Sequence, residues 1–265
     1  MKKILCLLLL FTSIAYSQKK EKILEEGIRL YQSEKASWHG TDIFLARYPE
    51  KRNLIRGYFS YSDDKQHHCV FYDKDENPNV LARISFEDNF DLAKAVVDTI
   101  SRKLTKKEYD YYDIRTKAMN MIQKDTLFKQ YKNTGINPIP IITKKEKKVY
   151  VLTGPKVSGV VIFGNDYLVE FNKKNKVKRK KKLHNNIIVM NYDSKKETTS
   201  SFHGHNKTTG DLITATDICT LLLYGKYTNW DTHYVMSEKN VSIWDCKKES
   251  LFVMTKKAWD KIHSD

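Results

Sequence analysis

Residues 201–217 read Ser-Phe-His-Gly-His-Asn-Lys-Thr-Thr-Gly-Asp-Leu-Ile-Thr-Ala-Thr-Asp. The residues up to His205 suit an extended strand, and the loop that follows contains Gly210. Thr214 is a typical N-cap residue, and apolar residues then recur at helical spacing. The stretch therefore predicts a strand, a short loop and a helix, with two histidines where the strand ends and Asp217 in the first helical turn.

Two histidines and an aspartate in this order are typical metal ligands. His203 and His205 are two residues apart on an extended segment, so both imidazoles emerge from one face with Cα atoms roughly 7 Å apart. Both can then bind one ion at about 2.0–2.1 Å, and the loop can fold the carboxylate of Asp217 towards them. Two imidazoles and one carboxylate leave a fourth tetrahedral position for water, as in catalytic zinc sites. We therefore predict a Zn²⁺ site.

The same residues also allow an alternative interpretation in which they have only structural roles and bind no metal. Thr214 and Asp217 have the spacing of a helix-capping box, with Asp in place of Glu or Gln. The chain has eight histidines, so a His-x-His pair also arises by chance. The order of strand, His-x-His, glycine-containing loop and capped helix favours the metal site.

This segment resembles the signature of the JAMM/MPN+ (JAB-type) zinc metallopeptidases. The matching residues are His203-Gly204-His205 and Thr214-Ala215-Thr216-Asp217, and the resemblance covers about residues 150–255. It implies that His203, His205 and Asp217 bind zinc. The chain departs from the family pattern in three respects: eight residues instead of seven before Thr214, a glycine between the histidines, and threonine in place of serine.

The resemblance also implies catalytic roles. Thr214 stands where the family has a serine that helps to stabilise the oxyanion, and an upstream acid would be the general base. Glu170 is the first candidate for that base and Asp166 the second, whereas Glu197 is assigned to a turn beside His203. The implied activity is hydrolysis of a peptide or isopeptide bond, in an unidentified peptide or protein substrate.

The rest of the chain predicts an α+β protein in two parts. Residues 18–145 read as a helix over residues 19–37, an antiparallel meander over residues 53–86 and a second helix from Thr105 to about Tyr131. A fourth run, residues 95–101, suits either a strand or a helix. The proline-containing residues 137–142 and the lysine-rich residues 144–148 suggest a boundary, followed by a mixed-sheet JAMM-like domain over residues 146–265.

The second part is predicted to be rich in strands. A helix from Thr214 to Gly225 and a short terminal helix interrupt them. The predicted strands cover residues 149–153, 159–163, 167–171, 177–183, 187–190, 233–236, 241–244 and 251–254, in addition to the strand that ends in the histidine pair.

Residues 1–17 have the pattern of a cleaved secretory signal peptide. Lys2 and Lys3 precede an apolar run, and small residues lie one and three positions before Gln18. The run is shorter than the roughly 20 residues that a membrane-spanning helix needs, so the chain is not predicted to be transmembrane. We expect a periplasmic or extracellular protein. In such a protein Cys219 and Cys246 could form a disulfide or be small buried core residues.

Charge suggests an alternative function. The chain carries a net charge of +15, and eight of the ten residues in Lys173–Lys182 are basic. Because this charge is local, a nucleic-acid partner is not indicated. The alternative to the hydrolase is an inactive JAMM-like binding module that uses this basic hairpin to engage anionic lipid or polysaccharide. A solvated hairpin whose charge prevents edge aggregation is the structural interpretation.

Overall fold

A computed structural model describes residues 2–63, 66–193 and 200–264, with side chains from residue 17 onward. The chain is α+β, as predicted. It begins with helix α1, Lys2–Arg47, which is longer than the predicted helix over residues 19–37. The helix extends because Phe44 is buried beyond residue 37, with Ile43 and Leu45 packed against the same core.

The predicted meander is confirmed. Strands β1 (Gly57–Asp63), β2 (Gln66–Tyr72) and β3 (Asn79–Glu87) pair antiparallel in sequence order. The ambiguous fourth run contributes a short strand, β4 (Val96–Asp98), and β5 (Arg102–Lys103) also pairs with β3. One face of this sheet packs on α1 through Cys69, Phe71 and Ile84.

Helix α2 covers Lys106–Lys124, so the predicted end near Tyr131 is wrong. Its start is confirmed, since Thr105 and Glu108 form a capping box. The helix ends early because the Asp125 side chain accepts the backbone N–H of Leu127 and stabilises a turn.

The proline-containing segment is a strand. β6 (Thr134–Ile142) pairs antiparallel with β7 (Lys147–Pro155), and it accommodates Pro138 and Pro140 because it lies at the edge of its sheet. The predicted boundary after residue 145 falls in the turn of this hairpin, and the division into residues 18–145 and 146–265 stays a prediction. Ile114 and Ala118 of α2 pack directly on Val149 of β7 and its neighbours.

The next strands form two further pairings. Strand β9 lies between β7 and β10, which completes an antiparallel sheet in the order β10-β9-β7-β6, and β8 pairs with β11. These elements are β8 (Val160–Gly164), β9 (Tyr167–Phe171), β10 (Val177–Lys182) and β11 (Ile187–Asn191). The order agrees with the predicted hairpin.

A mixed four-stranded sheet carries the histidine pair. Strand β12 (Ser200–Gly204) runs parallel to β13 (Thr232–Met236), and the antiparallel strands β14 (Asn240–Asp245) and β15 (Ser250–Thr255) follow. Between β12 and β13 the chain forms helix α3 (Ala215–Thr228), and α4 (Lys256–Ile262) ends the chain as predicted. The predicted end of α3 at Gly225 is wrong, because Asn229 takes the left-handed conformation and ends the helix one turn later.

Helix α1 contacts both the meander and α3. At Gly27 a Cβ atom would lie 2.7 Å from the Cβ of Ile218, so only glycine permits the approach of α1 to α3. Leu30 of α1 joins Cys219 and Leu223 of α3 in one buried cluster. This packing fixes the helix that carries Asp217.

The described residues also bear on the membrane and disulfide predictions. Within the described residues no helix combines the length and the apolar character needed to cross a membrane. Cys219 is a buried free thiol and Cys246 a half-buried one, so the disulfide that the sequence left open does not form.

Candidate metal centre

Four side chains converge behind the mixed sheet. His203 lies near the end of β12, His205 follows that strand directly, and Asp217 lies in the first turn of α3. The fourth is His184, which lies in the turn between β10 and β11. All four are buried, and each offers one ligand atom within 4.8 Å of the others.

The ligand atoms lie close enough together to share one ion. Nε2 of His205 lies 3.0 Å from Nε2 of His184 and 3.1 Å from Nε2 of His203. Asp217 Oδ1 lies 3.6 Å from Nε2 of both His184 and His203, and Oδ2 lies 3.3 Å from Nε2 of His205. Four ligands about 2.0–2.1 Å from a tetrahedral zinc ion lie about 3.3 Å from one another.

The outer nitrogens of two histidines determine which tautomer faces the cluster. Nδ1 of His205 lies 3.0 Å from the carbonyl oxygen of Leu212, which can only accept, so this nitrogen carries the hydrogen. Nδ1 of His184 likewise donates to Asp166 Oδ1 at 2.7 Å. In their neutral forms both histidines therefore direct a lone pair from Nε2 into the cluster, as metal binding requires.

A chain of two hydrogen bonds orients His203. Its Nδ1 lies 2.8 Å from Nε2 of His233, whose Nδ1 lies 2.7 Å from the hydroxyl of Ser201. When His203 binds a metal through Nε2, its Nδ1 donates to His233. Phe163 stacks on His233 at a centroid distance of 4.8 Å and fixes the plane of that ring.

Asp217 is both a capping residue and a member of the cluster. Its Oδ2 accepts from the backbone N–H of Thr214 at 2.8 Å and from the Thr214 hydroxyl at 2.7 Å, which completes the predicted capping box. Its Oδ1 is buried and accepts no hydrogen bond from any residue that the structure describes. A buried carboxylate oxygen without a partner is costly, and this one faces the Nε2 atoms of two imidazoles.

The electrostatics of the cluster favour a cation at this point. Burial alone would raise the pKa of Asp217, but His184, His203 and His205 hold it well below its usual range. Burial opposes a charged His184, yet Asp217 and Asp166 raise the pKa of His184 to about 9. Burial lowers the pKa of His203 to about 4. The buried carboxylate therefore stays ionised and raises the pKa of the His184 imidazole beside it, an arrangement that attracts positive charge.

A constrained turn brings Asp166 to His184. Gly164 has φ of +75°, and a Cβ atom there would collide with the backbone oxygen of Asn186, so only glycine fits. The backbone N–H of His184 also donates to Asp166 Oδ1 at 3.1 Å, and the Thr216 hydroxyl donates to Oδ2. Asp166 thus lies behind a ligand and orients it, with both carboxylate oxygens engaged.

The other predicted catalytic residues lie elsewhere. Thr214 caps α3. Its hydroxyl donates a hydrogen bond to Asp217 Oδ2, but Thr214 is not a member of the metal cluster. Glu170 pairs with Lys148 and Arg179 across the strands of its sheet, about 13 Å along β9 from Asp166, and is not in the cluster. Glu197 lies outside the described residues.

Sequence reasoning missed His184. It lies 19 residues before His203, behind the lysine-rich strand β10, in no motif with the histidine pair. The only local signal is its place in a turn between two predicted strands. Nothing in that pattern shows that the turn folds back to the end of β12.

Comparisons with protein-family models, with curated proteins and with solved structures found no match. The resemblance to the JAMM metallopeptidases therefore rests on the motif residues alone. The cluster of three histidines and an aspartate is the feature from which a function can be inferred.

Proposed function

We propose that this protein binds one divalent metal ion through His184, His203, His205 and Asp217. The observation that carries the proposal is the buried Oδ1 of Asp217, which lacks a hydrogen bond from any described residue while it faces the Nε2 atoms of His184 and His203. A single proton shared between two imidazoles would leave that oxygen without a partner. A metal ion at the centre satisfies all four groups at once.

The donor set favours zinc. Three imidazole nitrogens and one carboxylate oxygen suit Zn²⁺, whereas Mg²⁺ and Ca²⁺ prefer six or more oxygen ligands. Outer-shell bonds to Leu212, Asp166 and His233 hold each imidazole in place, which is common in zinc sites. The proposed ion would join β12, α3 and the β10–β11 turn.

Four protein ligands give the ion a stabilising role. Structural zinc sites are closed by four protein ligands, whereas catalytic sites keep one position for water. In this protein His184 lies at the position that the sequence assigned to water. Asp166, the second candidate for a base, contacts the far nitrogen of that imidazole and is too distant to bind a metal-bound water.

A metal-dependent hydrolase of peptide or isopeptide bonds, as the JAMM resemblance implies, is the second candidate. The observation that favours it is the placement of the ligands. His184 lies in a turn, whereas His203 and Asp217 lie on a strand and a helix. Displacement of His184 would admit water to the ion beside Asp166 and Thr216. The two candidates differ in whether the wild-type protein hydrolyses peptides.

Metal analysis of the purified protein tests the proposal. We expect about one zinc ion per chain in the wild type and almost none in the double variant His203→Ala, His205→Ala. The matched control is His67→Ala, His68→Ala, which removes two equally buried histidines from the meander. Equal zinc in the wild type and the His203/His205 variant would exclude the site. Zinc-dependent cleavage of a peptide library by the wild type would favour the hydrolase over the closed site.

We also propose that the chain is exported, with cleavage before Gln18. The basic start and apolar run of residues 1–17 support this proposal. N-terminal sequencing of protein recovered from outside the cytoplasm checks it, and a chain that still begins at Met1 would contradict it.

A basic surface on β10 is proposed to bind anionic lipid or polysaccharide. This strand is one edge of its sheet, and Lys178 and Arg179 are solvent-exposed. We expect the protein to bind phosphatidylglycerol vesicles at about 10 mM salt and to release them near 1 M, because the Debye length falls from about 30 Å to about 3 Å. Reversal of Lys178 and Arg179 to Glu should abolish binding. Binding that resists salt would leave only the role of preventing edge aggregation.

A further inference from the structure

A second candidate site lies beside α3, next to residues that follow the metal ligand Asp217 along the helix. A cavity of about 510 Å³ opens between α1, α2, the β6–β7 hairpin and α3. Its volume lies within the range of small-molecule sites, about 300–1,000 Å³, and such sites often lie where separate parts of a fold meet. No ligand of the metal cluster lines this cavity.

The cavity holds two buried groups of opposite charge. Glu34 of α1 is only 7% exposed, and both its oxygens accept hydrogen bonds from Nδ2 of Asn137, at 2.9 and 2.8 Å. Arg115 of α2 is 8% exposed and donates from Nε to the carbonyl oxygen of Pro138 at 3.1 Å. The Arg115 side chain also hydrogen-bonds the Tyr58 side chain. A guanidinium has five N–H donors, so these two bonds leave donors for a ligand.

Glu34 and Arg115 both line the cavity but do not pair. Among the described residues no ion pair within 4.0 Å joins the two side chains. The guanidinium of Arg115 instead lies 4.8 Å from the ring centroid of Tyr58. A buried carboxyl and a buried guanidinium that are held apart are costly, unless another group pairs with each of them.

Apolar side chains complete the walls. Trp38 and Tyr224 meet edge to face at a centroid distance of 5.8 Å, and Leu152 and Leu223 also line the cavity. Trp38 is 38% exposed, an unusual exposure for an indole, and it lies at the rim. Aromatic walls around a few convergent polar groups are typical of a ligand site.

We infer that this cavity binds a free amino acid with an apolar side chain. The ligand carboxylate would pair with Arg115, its ammonium group with Glu34, and its side chain would contact Trp38 and Tyr224. A ligand with only a carboxylate would be repelled by the like charge of Glu34, and a ligand with only an amine would be repelled by Arg115. A ligand that carries both charges satisfies both walls.

Three matched probes test this inference with the full-length protein. They are L-phenylalanine, N-acetyl-L-phenylalanine, which lacks the ammonium group as a peptide C-terminus does, and L-phenylalaninamide, which lacks the carboxylate as an N-terminus does. Burial raises the pKa of Glu34 to about 7, so calorimetry at pH 8 keeps the carboxylate charged. We expect L-phenylalanine to bind about 10- to 100-fold more tightly than either blocked probe, because each lost charged hydrogen bond has that effect.

Variants separate the role of each wall. Glu34→Gln keeps the shape of the side chain and should lower the affinity for L-phenylalanine at least about tenfold. The affinity for N-acetyl-L-phenylalanine should not fall. Trp38→Ala at the rim should lower the affinity for both probes. Tyr227→Ala, on α3 but outside the cavity, should change neither affinity. No binding of L-phenylalanine at 10 mM would overturn the inference. Equal affinity for the acetylated probe would also overturn it and would indicate a site for peptide C-termini.

Discussion

Removal of zinc by a chelator is expected to lower the Tm of this protein by about 10 °C. A ligand that binds only the folded state at 1,000 times its Kd stabilises that state by about 4 kcal/mol. In a chain of this size each 1 kcal/mol shifts Tm by about 2–4 °C. The effect is large because removal of the ion leaves Asp217 Oδ1 buried without a partner. Differential scanning calorimetry with and without EDTA, followed by zinc repletion, measures it.

The same experiment has an internal control. The His203→Ala, His205→Ala variant should have a low Tm that EDTA does not lower further, because it binds no ion. A wild-type Tm that does not respond to EDTA, in protein shown to contain zinc before treatment, would contradict the stabilising role. Recovery of Tm with Zn²⁺ but not with Mg²⁺ would agree with the nitrogen-rich donor set.

Replacement of Asp217 by alanine should abolish the zinc-dependent part of stability. The loss of an outer-shell partner alone typically weakens metal binding about 10- to 100-fold. Loss of a direct ligand should therefore lower the zinc affinity at least about 100-fold. The variant also loses the cap of α3, which typically costs about 1 kcal/mol. Competition with a chromophoric chelator measures the affinity, and calorimetry measures the stability.

The chain contains a matched control for the capping part of this effect. Glu108 occupies the same capping-box position in α2, is 1% exposed like Asp217, and pairs with Arg102 at 2.7 Å. Glu108→Ala should lower the Tm but leave the EDTA-dependent shift and the zinc affinity unchanged. If Asp217→Ala also kept both, Asp217 would be only a capping residue.

Some parts of the fold could be predicted because their signals are local. Thr105 and Thr214 cap the helices that follow them, and the meander strands show the residue types and turns that the sequence predicts. The C-terminal ends of the helices could not be predicted as well. The end of α2 depends on a side-chain turn at Asp125, and the end of α3 depends on Asn229 in place of the nearer Gly225.

The predicted base shows the limit of strand patterns. Glu170 lies on a strand next to the site, but its sheet register places it between Lys148 and Arg179. Asp166 does reach the site, where it orients an imidazole. The sequence contained both acids but not the pairing of β9 with β7 and β10 that separates their surroundings.

The sequence by itself determined three of the four ligands of the candidate metal site, since the strand, loop and helix that carry His203, His205 and Asp217 follow from local spacing and capping. Only the tertiary structure decided that the cluster is closed and buried. His184 enters it because the β10–β11 turn packs against Asp166 after β8, a contact between residues 18 positions apart. No local pattern encodes that contact, since it depends on which strands pair and on the left-handed turn at Gly164.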